Sequence, residues 1–173
     1  MCVTPVFFTL KIMQAHLGLG SNLENPTAQL HAARIAIANV DGICEIAFSS
    51  LYSSAPMDGK NQPNYVNAVM AIETTLRPLE LLTKMQGIEN AQGRIREEHW
   101  GSRTLDIDIL LFENEVLNFP ELVVPHYGMT TRAFVLYPLF EIAPNLNIPT
   151  HGKLRNLLKN CPINDLKRLP DAT

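Results

Sequence analysis

Two aspartates, Asp106 and Asp108, stand two residues apart in the run R-T-L-D-I-D-I-L-L-F, where Leu105, Ile107, Ile109 and Leu111 alternate with them. That alternation is the period of a β-strand, with the apolar row on one face and both carboxylates on the other. Residues i and i+2 of a strand sit roughly 6.6 Å apart at Cα, so both side chains can reach one object. Carboxylates about 6 Å apart repel by roughly 3 kcal/mol at an effective dielectric near 20. A cation between them removes that repulsion. With only hard oxygen ligands and no cysteine or histidine at ligand spacing, the pair suits magnesium better than zinc. Magnesium takes one or two protein carboxylates and completes its shell with water and substrate phosphates.

The neighbours of the pair carry the opposite charge. Arg94, Arg96, His99, Trp100 and Arg103 precede it, and His126, Tyr127 and Arg132 follow. Guanidinium groups beside a magnesium-type acidic pair are what phosphoryl transfer requires: they bind phosphate oxygens while the metal neutralises developing charge. A second pocket is legible in Y-V-N-A-V-M-A-I, where Val66, Ala68, Met70 and Ile72 form an apolar row and leave Tyr65 and Asn67 on the other face. An aromatic ring beside a carboxamide suits a flat heterocycle, stacked on the ring and read through paired donors and acceptors. No G-x-x-x-x-G-K-[ST] occurs, so there is no P-loop. Gly18-Leu19-Gly20 begins like a dinucleotide fingerprint, but Leu23 occupies the third glycine position, and a tight strand-to-helix turn at Gly20-Ser21-Asn22 is the economical reading. His16, His31 and His151 have no partner at ligand spacing and read as structural or exposed.

These groups need a scaffold, and the periodicity supplies one. Residues 15–20 read as a strand; Asn25-Pro26 opens a helix running to about Val40, which Asp41-Gly42 ends. Residues 43–52 and 65–74 are two further strands. Pro78 opens a second helix with Leu81, Leu82, Met85 and Ile88 on one face and Gly93 as its stop. The Asp-bearing strand follows. This order is that of a ferredoxin-like βαββαβ core in the α+β class: an antiparallel sheet with both helices on one face and the aspartates on the open one. A C-terminal extension follows, with a hairpin near 114–125, a helical segment near 129–140 and a last helix near 152–160. The connections 53–64 and 93–103 exceed simple turns and read as binding loops.

The chain as a whole sets limits. Its 173 residues suffice for one substantial core, expected over 14–160, with 1–13 as an N-terminal extension and 161–173 as a C-terminal tail. Hydrophobic residues make up 46% and charged residues 18%, an ordinary globular composition. The net charge of −3 argues against a nucleic-acid-coating protein. Cys2, Cys44 and Cys161 form no C-x-x-C, which fits a reducing cytoplasm. Residues 1–13 lack a basic leader region and are too short for a membrane span, which needs about 20 apolar residues. They are expected to be sequence translated ahead of a start at Met13, the alternative being an extra edge strand. A cytoplasmic monomer acting on small molecules, with neither nucleic acid nor membrane as partner, is expected.

From Gly20-Ser21-Asn22 through Tyr65-x-Asn67 and Gly93-Arg94 to Arg103-Thr104-Leu105-Asp106-x-Asp108 and Pro125-His126-Tyr127, the sequence resembles the 6-hydroxymethyl-7,8-dihydropterin pyrophosphokinases of folate synthesis. These enzymes have a ferredoxin-like core, move pyrophosphate from ATP to the hydroxymethyl group of the pterin, and release AMP. The resemblance implies that Asp106 and Asp108 hold two magnesium ions bridging the phosphates of ATP. It makes Arg94 and Arg103 catalytic-loop arginines and Trp100 the aromatic that closes over the site. His126, Tyr127, Arg96 and Arg132 would contact nucleotide or phosphates, with Gln86, Glu89 and Ile109 on the nucleotide side. Tyr65 and Phe134 would sandwich the pterin, Asn67 would read its edge, and backbone groups of Ser54, Ala55 and Met57 would complete its recognition. Members of the family commonly carry basic residues where this chain has Glu97, His99 and Glu121. Two other readings of the same residues stand beside this one: a noncatalytic ferredoxin-like effector-binding module, and a two-metal nucleotidyl transferase of polymerase-palm type, against which the negative charge and lack of an extended basic groove weigh.

Overall fold

The structure is a computed structural model and describes residues 11–56, 62–93 and 104–170. Strand β1 (Met13–Ser21) leads to helix α1 (Pro26–Ala38), then β2 (Ile43–Phe48), β3 (Tyr52–Ser54) and β4 (Tyr65–Thr74). Helix α2 (Pro78–Ala91) and β5 (Asp106–Phe112) follow. The sheet order is β10-β3-β4-β1-β5, with β2 also on β4, and every pairing is antiparallel. Strand β10 is Lys167–Arg168, so the segment read as a tail pairs with β3. Between them lie a hairpin, β6 (Leu117–Asn118) and β7 (Val123–Val124), a 3-10 turn at Met129–Thr131 and helix α3 (Ala133–Ile142). A second hairpin, β8 (Asn147–Ile148) and β9 (Gly152–Lys153), leads into α4 (Leu154–Lys159). No helix among the described residues is long and apolar enough to cross a membrane.

The helices start where local chemistry allows. The Asn25 side chain accepts from the Ala28 N–H at 3.2 Å, and Pro26 follows at a position whose N–H has no helical partner. Helix α1 stops at Ala38 rather than Val40, because the Val40 N–H turns to the Ile37 carbonyl (3.1 Å) and tightens the last turn. Helix α2 ends at Ala91, and Gly93 takes the left-handed conformation (φ +80°) that favours glycine at such a stop.

Both helices pack on one sheet face. Leu30, Ala33 and Ile37 of α1 and Leu81 and Met85 of α2 are fully buried against Leu17, Met70, Ile72 and Ile107. The Arg34 Nε, 3.0 Å from both Glu45 carboxylate oxygens, ties α1 to β2. The opposite face is not left open along its length. Val69, Leu110 and Leu111 are buried beneath Val135, Leu136 and Leu139 of α3, with Leu154 of α4 behind them, so the sheet serves two cores.

Two sequence expectations change here for physical reasons. The strand expected over 43–52 divides into β2 and β3, because Ser49 Oγ accepts the Val69 N–H (2.9 Å) and interrupts the strand. The strict alternation of 105–111 ends at Ile109. Leu17 pairs with Ile109 but His16 pairs with Leu111, so Leu110 is an extra residue. This β-bulge shifts the phase by one. Leu111 therefore faces the second core, and Phe112 instead of Leu111 packs under α1 and α2.

Candidate active site

The register lays the chemistry out in rows across the sheet. Gly20 pairs with Asp106 on one side and Asn67 on the other, and Asn67 in turn pairs with Tyr52. One step along the strands, Gly18 lies between Asp108 and Val69. Adjacent strands are about 4.8 Å apart, which puts the aspartates and Asn67 roughly 9–10 Å from each other across a floor without side chains. Gly20 is thus a strand residue, not part of a turn as expected, and the chain leaves β1 only after Ser21. Sequence reasoning missed Gly18 and Gly20 as site residues. The available signal was that they alternate at period two, on the face of the aspartates.

This floor underlies a cleft of about 240 Å³. Asp106, Asp108, Tyr65 and Asn67 line it, as the sequence predicts, together with Ser54, Ala55, His126, Tyr127, Arg132 and Phe134. Strands β1, β3, β4 and β5, helix α3 and the loop before it converge there. Gln86 and Glu89 do not line it. The Glu89 carboxylate is buried and accepts the Ile107 N–H at 2.7 Å, fixing α2 to the strand between the two aspartates. The Ile109 side chain is buried in the helix-covered core. Arg94, Arg96, Trp100, Arg103 and Met57, with Glu97 and His99, lie outside the described residues. Glu121 sits exposed beside β7.

Asn67 is 5% exposed, and its amide nitrogen donates to Ser54 Oγ (3.0 Å) and the Tyr52 carbonyl (3.3 Å). Its orientation is therefore fixed before any ligand arrives, with the amide oxygen over Gly20. The Ala55 N–H is engaged by the Asp165 carboxylate at 2.9 Å. On the other wall, burial lowers the His126 imidazole to about 4; Arg132 adds to the lowering and Asp106 opposes it. His126 is neutral near pH 7. Its Nδ1 accepts the Gly128 N–H (3.3 Å), which leaves the proton on Nε2, 3.8 Å from Asp108 Oδ2. That separation exceeds a hydrogen bond, and a neutral imidazole makes no ion pair. The Arg132 guanidinium stacks 5.5 Å from the Tyr127 ring and 5.9 Å from the Phe134 ring, presenting a cation to the cleft between two aromatics.

The donor set can be tested for a cation. Among the described residues, no three histidine, cysteine or acidic side chains gather as a ligand set. The His126 Nε2 carries a proton and so is not a ligand. Two carboxylates on a wet cleft remain, which fits a hard ion that keeps water and phosphate oxygens in its shell rather than zinc.

Fold and cleft together define an α+β domain whose site sets two carboxylates beside an aromatic, carboxamide-lined pocket. Residues 16–144 match the family 7,8-dihydro-6-hydroxymethylpterin-pyrophosphokinase, and the chain belongs to it. It is similar to the 2-amino-4-hydroxy-6-hydroxymethyldihydropteridine pyrophosphokinase of Pseudomonas aeruginosa, 47% identical over 161 residues that cover 93% of this chain and 99% of the relative. The Haemophilus influenzae protein of that name is 49% identical over 148 residues, covering 86% and 92%. Among solved structures, Plasmodium falciparum HPPK-DHPS wild type with pteroate superposes with a TM-score of 0.71 at 15% identity, over 87% of this chain and 42% of that one. The chain thus spans less than half of that solved protein, and the likeness concerns the fold.

Proposed function

We propose that this cleft transfers pyrophosphate from ATP to the hydroxymethyl group of 6-hydroxymethyl-7,8-dihydropterin, releasing AMP, a step of folate biosynthesis. The observation that carries the reading is the row Asp106–Gly20–Asn67, a carboxylate and a carboxamide on one floor, which supports a phosphate-side clamp beside a heterocycle reader. The strand order supports a ferredoxin-like core made of β1, α1, β2 with β3, β4, α2 and β5, the remainder being a C-terminal extension.

In this reading Tyr65 and Phe134 hold the two faces of the pterin and Asn67 its edge, so that the hydroxymethyl oxygen points across the glycines. Attack in line on the β-phosphorus, from about 3–3.5 Å, forms the new P–O bond as the bond to the α,β-bridging oxygen breaks and AMP leaves with that oxygen. Asp106 and Asp108 are the residues that would hold two magnesium ions, which supply charge neutralisation along the phosphate chain. Arg132, His126 and Tyr127 bind nucleotide and phosphates from the opposite wall. The family resemblance supports Arg94 and Arg103 as the cations on the moving group, Trp100 as the closing aromatic, Arg96 on the nucleotide side and Met57 on the pterin side. The net charge of −3 and the cysteine pattern support small-molecule substrates and a cytoplasmic setting, without nucleic acid or membrane as partner. Single-turnover incubation with ATP, magnesium and the pterin, followed by nucleotide analysis, tests the reaction. AMP with a diphosphorylated pterin is expected. ADP with a monophosphorylated pterin would refute it, and binding of both ligands without products would favour an effector-binding module.

A further inference from the structure

Residues 163–169 run along the outer edge of the wall that carries Ser54 and Ala55. We propose that Asp165 is a positioning residue for the heterocycle pocket: by accepting the Ala55 amide hydrogen, its carboxylate holds residues 54–56 in the shape that binds the pterin. The inference rests on the function proposed above.

The wall needs such a partner at that point. Backbone pairing runs from the Leu169 N–H, bonded to the Leu51 carbonyl (2.8 Å), through Arg168 with Tyr52 and Lys167 with Ser53. Strand β3 then ends at Ser54, so the N–H of Ala55 has no strand to donate to. Asp165 Oδ2 takes it at 2.9 Å, a charge-assisted bond where the ladder stops. The next residue, Pro56, has no N–H to offer. Asp165 is itself held in place. The adjoining Leu166 is buried, its N–H bonds the Ile163 carbonyl (3.0 Å), and Asn164 adopts φ +48°, which closes a tight turn.

The bond is placed to matter for the ligand. Ser54, Ala55 and Pro56 form a thin partition between the cleft and a shallow groove beside residues 163–169 (the strap), which Asp165 lines together with Tyr127 and Arg132. On the cleft side, Ser54 Oγ accepts from the Asn67 amide at 3.0 Å. The path from carboxylate to heterocycle reader is therefore Asp165, Ala55, Ser54, Asn67. Nothing in it reaches the aspartate clamp on β5. Loss of the bond is expected to loosen the pterin wall, while Tyr127 and Arg132, which line the same groove as Asp165, keep their own stacking contact.

The test compares wild type, Asp165→Ala, Asp165→Asn and, as a control on the same strap, Lys167→Ala. Calorimetry gives the dissociation constants for hydroxymethyldihydropterin and for a nonhydrolysable ATP analogue with magnesium, and steady-state kinetics separate KM from kcat. Asp165→Ala is expected to raise the pterin Kd and KM by about three- to tenfold, the worth of one hydrogen bond. It should leave kcat and the ATP-analogue affinity unchanged. Asp165→Asn keeps an acceptor oxygen and should recover most of the pterin affinity, and Lys167→Ala should match wild type. Wild-type pterin affinity in Asp165→Ala, an equal loss for the ATP analogue, or no recovery in Asp165→Asn overturns the inference alone. A wild-type protein that binds no pterin overturns the proposed function as well.

Discussion

His16 couples the stability of this sheet to pH. It lies in β1 between Ala71 of β4 and Leu111 of β5, at the edge of the second core, and is 4% exposed. Burial lowers its imidazole from 6.5 to about 4. A depressed histidine favours the folded state only while it is neutral. Above pH 6.5 both folded and unfolded chains carry it neutral, and it adds no pH dependence. As pH falls from 6.5 toward 4, the unfolded chain binds the proton first and stability is lost. At 1.36 kcal/mol per unit of pKa difference, the full loss approaches about 3 kcal/mol below pH 4, of which about 2 kcal/mol has gone by pH 5. For a domain of this size that is a fall in Tm of about 4–8 °C between pH 7.5 and pH 5. Thermal and urea unfolding of wild type and His16→Leu across this range would measure it, with His16→Asn as a second non-titrating variant should leucine fail to pack. His126 contributes to both proteins alike and cancels in the difference. Parallel pH curves for wild type and variant would refute the reasoning, as would a folded-state imidazole titrating near 6.5 by NMR.

Asp106→Ala or Asp108→Ala should lower magnesium-dependent turnover by orders of magnitude while Tm stays close to wild type, since each removes a clamp oxygen from the cleft face; near-normal activity in either variant contradicts the clamp. Asn67→Ala should weaken pterin binding by about tenfold or more and leave ATP affinity unchanged, because a buried reader of a heterocycle's edge is lost. Calorimetry that shows the larger loss for ATP would reverse that division. In Gly128→Ala the new Cβ would lie 2.6 Å from Arg132 Nε, so the guanidinium must leave its place between Tyr127 and Phe134. KM for ATP should rise several-fold at unchanged Tm, and an unchanged KM would show that Arg132 does not need that position.

The aspartate face, the Tyr65–Asn67 face and the element order were legible because alternation at period two is a direct record of which side is buried. The bulge was not. Leu110, Leu111 and Phe112 are all apolar, so an inserted residue leaves the pattern of hydrophobicity intact while reversing the faces. The second core was equally hidden. A-F-V-L-Y-P-L-F-E-I in α3 is apolar almost all round, which signals burial without saying against what. Gly20 was read through the commonest role of glycine, the turn, and Gly18 only as one residue of a strand, when their alternation at period two put both on the face of the aspartates. Asp165 lies about a hundred residues beyond the wall it holds, 110 from Ala55, and no local pattern reports such a bond.

The floor of bare glycines has a consequence for inhibition and escape. A ligand group resting on Gly18 and Gly20 touches main chain, whose position is set by strand register and not by any rotamer. A mutation there can only add atoms. A Cβ at Gly18 would come within 3.2 Å of Leu110 Cδ2, and one at Gly20 within 3.5 Å of the Asn67 amide oxygen, the group proposed to read the substrate. Drug resistance by substitution usually works by removing a contact the inhibitor needs and the substrate does not. On this floor there is no side chain to remove, and every single change that crowds the inhibitor crowds the substrate too. Compounds anchored there would leave the organism few routes to resistance, whereas those leaning on Tyr127, 72% exposed at the rim, would leave many.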